Sequence, residues 1–179
     1  MVYIGIDPGA DGAIALFAPG KKASRGAPAI PLSLMTWDLP FNTVKVGSTQ
    51  RKRLDVVGFS ELLDDIFLIE EPDRIVIEQV AAMPKQSGMF AFGYGVGLVH
   101  ATLRLRKLVF EEVPPSVWKK AVKAPTGEKT KNKALAIGRA EELFPEHRHL
   151  WRDTTKTAGG KLRPDRAEAA LLAYYAATC

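Results

Sequence analysis

The sequence predicts an α/β fold, a mixed sheet with helices on its faces. Two observations carry this. Apolar runs of strand length come first, and helical and strand-like segments then alternate to the end of the chain. No internal repeat, coiled-coil heptad or linker interrupts that order, so residues 1–179 are expected to form a single domain.

The elements follow in order. Val2, Ile4 and Ile6 alternate with Tyr3, Gly5 and Asp7, the period of a half-buried strand. Pro8-Gly9-Ala10-Asp11-Gly12 supplies turn chemistry, and Ala13 to Phe17 returns apolar, which makes a hairpin. Residues 18–29, rich in Pro, Gly, Lys and Arg, read as an exposed loop before a strand around Leu34 to Leu39. Residues 42–53 are polar and basic without periodicity and read as a mobile loop. Val56, Phe59, Leu63, Ile66 and Phe67 share one face of a helix from Asp55 to Ile69, which Glu71-Pro72-Asp73 stops. Ile75-Val76-Ile77, within Arg74 to Glu78, suits a buried central strand. After a connection at 79–87, Gly88 to Arg106 reads as a glycine-bearing helix and Leu108 to Val113 as a strand. Pro114-Pro115 breaks the chain, and Ser116 is placed to cap a short helix through Lys120. Lys131 to Phe144 is a helix with Ile137, Ala140 and Phe144 on one side, and residues 145–163 form an irregular basic loop. Pro164 suits the first turn of a last helix running to about Ala177.

Composition narrows the function classes. Hydrophobic residues make up 46% of the chain and charged residues 25%, the balance of a soluble globular protein. No apolar run approaches the roughly 18 residues of a bilayer span, and the N-terminus lacks the pattern of a signal peptide. No membrane association is expected, and a cytoplasmic address follows, in a bacterium, an organelle or a viral host. The single cysteine, Cys179, leaves no internal disulfide, and no Cys/His cluster suggests zinc. Net charge is +5, and the stretch from Arg104 to Lys133 alone holds nine Lys/Arg against three Asp/Glu. Basic charge concentrated in this way is the footprint of a phosphate-binding surface, although a solvated face has the same composition.

Four acids stand out by their setting. Asp7 and Glu78 each end an apolar strand, where α/β folds build sites. Asp165 and Glu168 open the last helix three positions apart, on one face. Carboxylates gathered together repel one another unless a cation neutralises them, and oxygen-only ligands suit Mg²⁺ or Mn²⁺. Each acid alone also fits a plain role: Asp7 as a turn former, Glu78 as a solvated strand end, Asp165 and Glu168 as complements to the helix dipole.

The ordered set resembles the RuvC-type Holliday junction resolvases over nearly the whole chain. Gly5-Ile6-Asp7-Pro8-Gly9 is similar to the family's first strand, and Ile77-Glu78-Gln79-Val80 to its second catalytic segment. Pro115-Ser116-Val117-Trp118-Lys119-Lys120 resembles the segment after its fifth strand, Lys131-Asn132-Lys133 the start of its next helix, and Asp165-Arg166-Ala167-Glu168 its C-terminal pair of acids. The family usually has Asp where Glu168 stands, and often an aromatic wedge where this chain has Ala81.

The resemblance implies a ribonuclease H-like fold, a mixed five-stranded sheet with helices on both faces. It implies a homodimeric endonuclease that acts on branched DNA, chiefly four-way junctions, by paired symmetric nicks. Asp7, Glu78, Asp165 and Glu168 would be its catalytic metal ligands, holding two Mg²⁺ ions per site, with Mn²⁺ also serving. Lys119, Lys120, Lys131 and Lys133 would contact DNA, as would Met83 and Lys85 in the connection at 79–87. Met83, Met89 or Phe90 could replace the wedge. Gly93, Gly95 and Gly97 each cost about 1 kcal/mol in a helix, which close packing within the chain or a dimer contact could offset. Trp118 reads as a packing residue. Two further readings stay open: a flap or fork nuclease with looser substrate choice, and a junction-binding protein without catalysis, against which retention of all four acids argues.

Overall fold

A computed structural model of the chain describes residues 1–9, 11–20, 33–80, 89–124, 129–152 and 161–179. Its strands are β1 (Tyr3–Asp7), β2 (Ala13–Ala18), β3 (Ser33–Asp38), β4 (Phe41–Val46), β5 (Thr49–Leu54), β6 (Arg74–Glu78) and β7 (Glu111–Val113). Its α-helices are α1 (Val56–Ile69), α2 (Met89–Leu105), α3 (Pro115–Ala121), α4 (Lys129–Leu143) and α5 (Pro164–Thr178). Five strands form one sheet in the order β3-β2-β1-β6-β7. β2 pairs antiparallel with β1 and β3, whereas β6 pairs parallel with β1 and β7, so the sheet is mixed.

The alternation in β1 divides the interior in two. Val2, Ile4 and Ile6 enter one core with Ile14, Leu16, Ile75 and Ile77, covered by Phe59, Leu63 and Ile66 of α1 and Val99 and Leu103 of α2. Tyr3 enters the other with Ala13, Ala15, Phe17 and Val76, covered by Trp118 of α3, Ala136, Ile137 and Ala140 of α4, and most of α5. The Asp55 side chain caps α1 by accepting the Gly58 N–H at 3.1 Å.

Several expectations need correction. Residues 42–53 are not a loop: β4 and β5 pair from Phe41↔Leu54 to Val46↔Thr49. Gly47, at φ +62°, opens the two-residue turn between them. Their side chains are largely exposed on both faces, so no apolar alternation marked the ribbon. The strand expected from Leu108 is only Glu111–Val113. The short helix starts at Pro115 with no side-chain cap, because Ser116 already lies inside it. The helix expected from Lys131 begins at Lys129. Residues 145–150 form a 3-10 helix, and Arg152 bridges Leu162, so part of the basic loop is ordered. Close packing against the described residues does not explain the α2 glycines. A Cβ at Gly93, Gly95 or Gly97 would meet nothing within 4 Å among the described residues. Of the loop expected at 18–29, residues 21–29 lie outside the described residues.

Candidate active site

The pleat of β1 decides where Asp7 points. In phase with Tyr3 and Gly5, it faces α5, and only 7% of it is exposed. Its Oδ1 accepts the Gly9 N–H at 3.0 Å. Gly5, one pleat back, lets the helix come close: a Cβ there would lie 2.3 Å from both the Ala169 carbonyl oxygen and the Ala173 nitrogen. The helix cooperates with small residues of its own, and Ala167, Ala169, Ala170, Ala173 and Ala176 are all buried.

This approach carries the first turn of α5 to Asp7. One carboxylate oxygen from each of Asp7, Asp165 and Glu168 lies within 4.8 Å of the other two. On the far side of that turn, Arg166 grips Asp38 at the end of β3 through Nε and Nη2, at 2.6 and 3.0 Å. Arg163 Nη1 stands 3.3 Å from the same carboxylate. The turn is thus pinned to the sheet from its back while its acids face Asp7.

Glu78 belongs to the neighbourhood but not to that tight trio. The pairs Gly5↔Val76 and Ile6↔Ile77 bring Asp7 and Glu78 to the same end of adjacent parallel strands. Its Oε2 accepts the indole N–H of fully buried Trp118 at 2.9 Å. The next residue, Lys119, donates from Nζ to Glu168 Oε1 at 2.8 Å. Two successive residues of α3 therefore hold two different acids.

The electrostatics follow from this crowding. Burial raises the Asp7 pKa well above the ordinary carboxylate value, and the charges of Glu168, Glu78 and Asp165 raise it further against the Gly9 N–H. Burial and then Glu168 raise Glu78, while Lys119 and the Trp118 hydrogen bond oppose them. Burial pulls Lys119 down, but Glu168, Glu78 and Asp7 together outweigh it, and the ammonium is held more firmly than usual. Four carboxylates with one lysine among them favour a further cation. The donor set is all oxygen, which fits Mg²⁺ or Mn²⁺ and not a soft metal.

Lys120 is exposed on α3. Of Lys131 and Lys133 only the backbone, in the opening turns of α4, is described, and Met83 and Lys85 lie outside the described residues. Sequence reasoning missed Trp118 as a partner of Glu78, and missed the Asp38–Arg166 pair. The signal for Trp118 was chemical: a buried indole N–H needs an acceptor.

No protein-family model and no curated protein matches the chain. Solved structures do. The structure described as T. thermophilus RuvC in complex with a Holliday junction substrate aligns with a TM-score of 0.57 at 14% identity, over 99% of this chain and 93% of that one. A further Thermus thermophilus RuvC structure gives 0.56 at 14% identity, over 99% and 95%. The Fowlpox virus resolvase, in a complex with Holliday junction DNA, aligns at 0.41 and 12% identity over 98% and 99%. With its mixed five-stranded sheet and a helical layer on each face, the chain has the ribonuclease H-like fold of RuvC.

Proposed function

We propose that this chain is a metal-dependent DNA endonuclease that resolves four-way junctions by paired symmetric nicks. The observation that carries the reading is the convergence of buried Asp7 with Asp165 and Glu168, beside Glu78. It occurs in a fold shared with RuvC, whose described complex contains a Holliday junction substrate. Residues 1–179 act as one nuclease domain.

Asp7, Glu78, Asp165 and Glu168 would hold Mg²⁺ or Mn²⁺, two ions per site. When bound, such ions make a good nucleophile of water and stabilise charge on a leaving oxygen. The protein's own part is positioning. Trp118 orients Glu78, Lys119 holds Glu168, and the Asp38–Arg166 pair sets the helix that carries Asp165 and Glu168. Hydrolysis forms a bond from water oxygen to phosphorus while the P–O3′ bond breaks, and the 3′ oxygen leaves as a hydroxyl. Lys120, Lys131 and Lys133, with Met83 and Lys85, would face the DNA, and Lys119 would balance charge beside the cut strand.

Paired nicks call for a homodimer. The glycine face of α2, open among the described residues, with Phe90 87% and Tyr94 47% exposed, favours a second copy there. The direct test is cleavage of four-way, forked and linear DNA with Mg²⁺, by wild type and Glu78→Gln. Wild type should nick two opposed strands of the four-way junction, and the variant should bind without cutting. Equal cutting of forked and four-way DNA, with linear DNA spared, would instead mark the flap or fork nuclease that Ala81, in the wedge position, favours. Binding by wild type without any cutting would mark a junction-binding protein.

A further inference from the structure

The β4–β5 ribbon stands outside the five-stranded sheet, and the site described above makes no use of it. Residues 41–54 contain Lys45, Arg51, Lys52 and Arg53 and no acid; among the others, Asn42, Thr43, Ser48, Thr49 and Gln50 can all donate hydrogen bonds. An isolated two-stranded ribbon is marginal in water, so this one must be anchored. Leu54 at its base is 6% exposed in the α1/α2 core, and Asp55 N–H bonds the Pro40 carbonyl at 2.9 Å. Arg53 lies over the Tyr94 ring of α2 at 5.7 Å. Lys52 pairs with Asp11 in the turn after β1.

Those anchors place the ribbon. Asp11 shares the wall of one cleft with Asp165 and Arg163, so the base of the ribbon adjoins the acidic site. Towards the tip, Lys45 and Arg51 are exposed and have no ion-pair partner among the described residues. The pairs Lys45↔Gln50 and Val44↔Arg51 put these two cations on opposite faces of the ribbon. Charges on an exposed edge can also serve only to prevent strand-to-strand aggregation. One sign of charge, donor-rich polar neighbours and a seat beside the acids are more than that purpose needs.

We infer that the β4–β5 ribbon is a clamp for a duplex DNA arm next to the cut strand. A two-stranded ribbon fits the B-DNA major groove, about 12 Å wide, where Lys45 and Arg51 would each meet one flanking phosphate strand. The inference rests on the branched-DNA nuclease reading and adds to it a surface that holds the arm.

The test is the double variant Lys45→Gln/Arg51→Gln, which keeps both residues polar and the ribbon unburdened. Junction binding is measured against salt, beside cleavage at saturating DNA and a melting curve. The slope of log K against log salt should fall by about 0.9 for each lost phosphate contact, hence about 1.8 in all. Cleavage of saturated junction and the melting temperature should stay at wild-type values. Unchanged affinity and slope in the variant, with normal binding by wild type, would overturn the clamp and leave the nuclease reading intact. Failure of wild type to bind any branched DNA would overturn the reading beneath it. Stronger ribbon-dependent binding to structured RNA than to the junction would overturn the choice of partner.

Discussion

On the α1/α2 face of the sheet, β1 contributes Val2, Ile4 and Ile6, β2 contributes Ile14 and Leu16, and β6 contributes Ile75 and Ile77. On the α5 face the same strands contribute Tyr3, Gly5 and Asp7, then Ala13, Ala15 and Phe17, then Val76 and Glu78. The strand residues named on the first face are large and aliphatic, and none of them is charged. The second is thinned to glycine and alanine where α5 crosses it, and acids occupy the end of that seam. Burying like charges is unfavourable, whereas burying Ile and Leu is worth about 1.5–3 kcal/mol per side chain. Both faces of the sheet therefore bury apolar surface, but only the α5 face also carries the cost of the acidic cluster. Period-two alternation lets adjacent residues of one strand serve both ends.

The sharpest way to break the comparison is Asp7→Asn, which keeps shape and removes one buried charge. Cleavage should fall by at least about 10²–10³-fold, beyond the roughly 10–100-fold that partners behind a metal ligand usually cost. Stability should move the other way. The folded-state pKa of Asp7 is raised, so its contribution is fully present below the unfolded value and is lost as pH climbs through the folded one. Without metal, the variant should thus gain on wild type as pH rises from the ordinary carboxylate range towards neutrality. Added Mg²⁺ should stabilise wild type and close the gap. Melting curves in EDTA and in Mg²⁺ between about pH 4 and 8 test this. A variant no more stable than wild type at any of these pH values would mean that the acids do not strain the fold.

A smaller effect is expected at Trp118, which packs like a member of the apolar core and yet donates to Glu78. Trp118→Phe keeps an aromatic ring and deletes the donor. Cleavage should drop about 10–100-fold, with a higher Mg²⁺ concentration needed for half-maximal rate. Were Trp118 only a packing residue, the melting temperature would fall while the metal requirement stayed put.

How far the sequence carried the reading depends on whether a face was buried. Arg74 to Glu78 was legible because three consecutive β-branched residues leave little choice, and Asp55 to Ile69 because Phe59, Leu63 and Ile66 recur at helical spacing. The ribbon at 41–54 was not, because a strand wet on both sides shows no alternation. The acids could be singled out by their strand ends and helix start. Their convergence could not, since it depends on Gly5 meeting Ala169 and Ala173, residues more than 160 positions away in the chain. The hold of Trp118 on Glu78 was hidden for a related reason: bulk suggests packing, and only the fold reveals the acceptor. By sequence alone Lys119 is an expected DNA contact, and its bond to Glu168 depends on α3 and α5 meeting in the fold.

The smallest expected effect sharpens the comparison most. Ile77 and Glu78 are successive residues of β6, and their side chains leave on opposite faces. Ile77→Val removes one methylene from the α1/α2 core, where Ile77 is fully buried. Such a deletion typically costs about 0.5–1.5 kcal/mol. In a chain of this size each kcal/mol lowers the melting temperature by roughly 2–4 °C. If the faces act separately, the melting temperature falls by a few degrees, while the cleavage rate and its metal dependence, measured well below the transition, match wild type. The backbone between the two residues offers the only short route for a disturbance, and parallel pairing to β1 at Ile6↔Ile77 resists it. A variant that melts near wild type but cuts more slowly would show that a cavity on one face displaces Glu78 on the other. Division of labour across the sheet would then be wrong, and the apolar core would have to count as part of the site's positioning machinery.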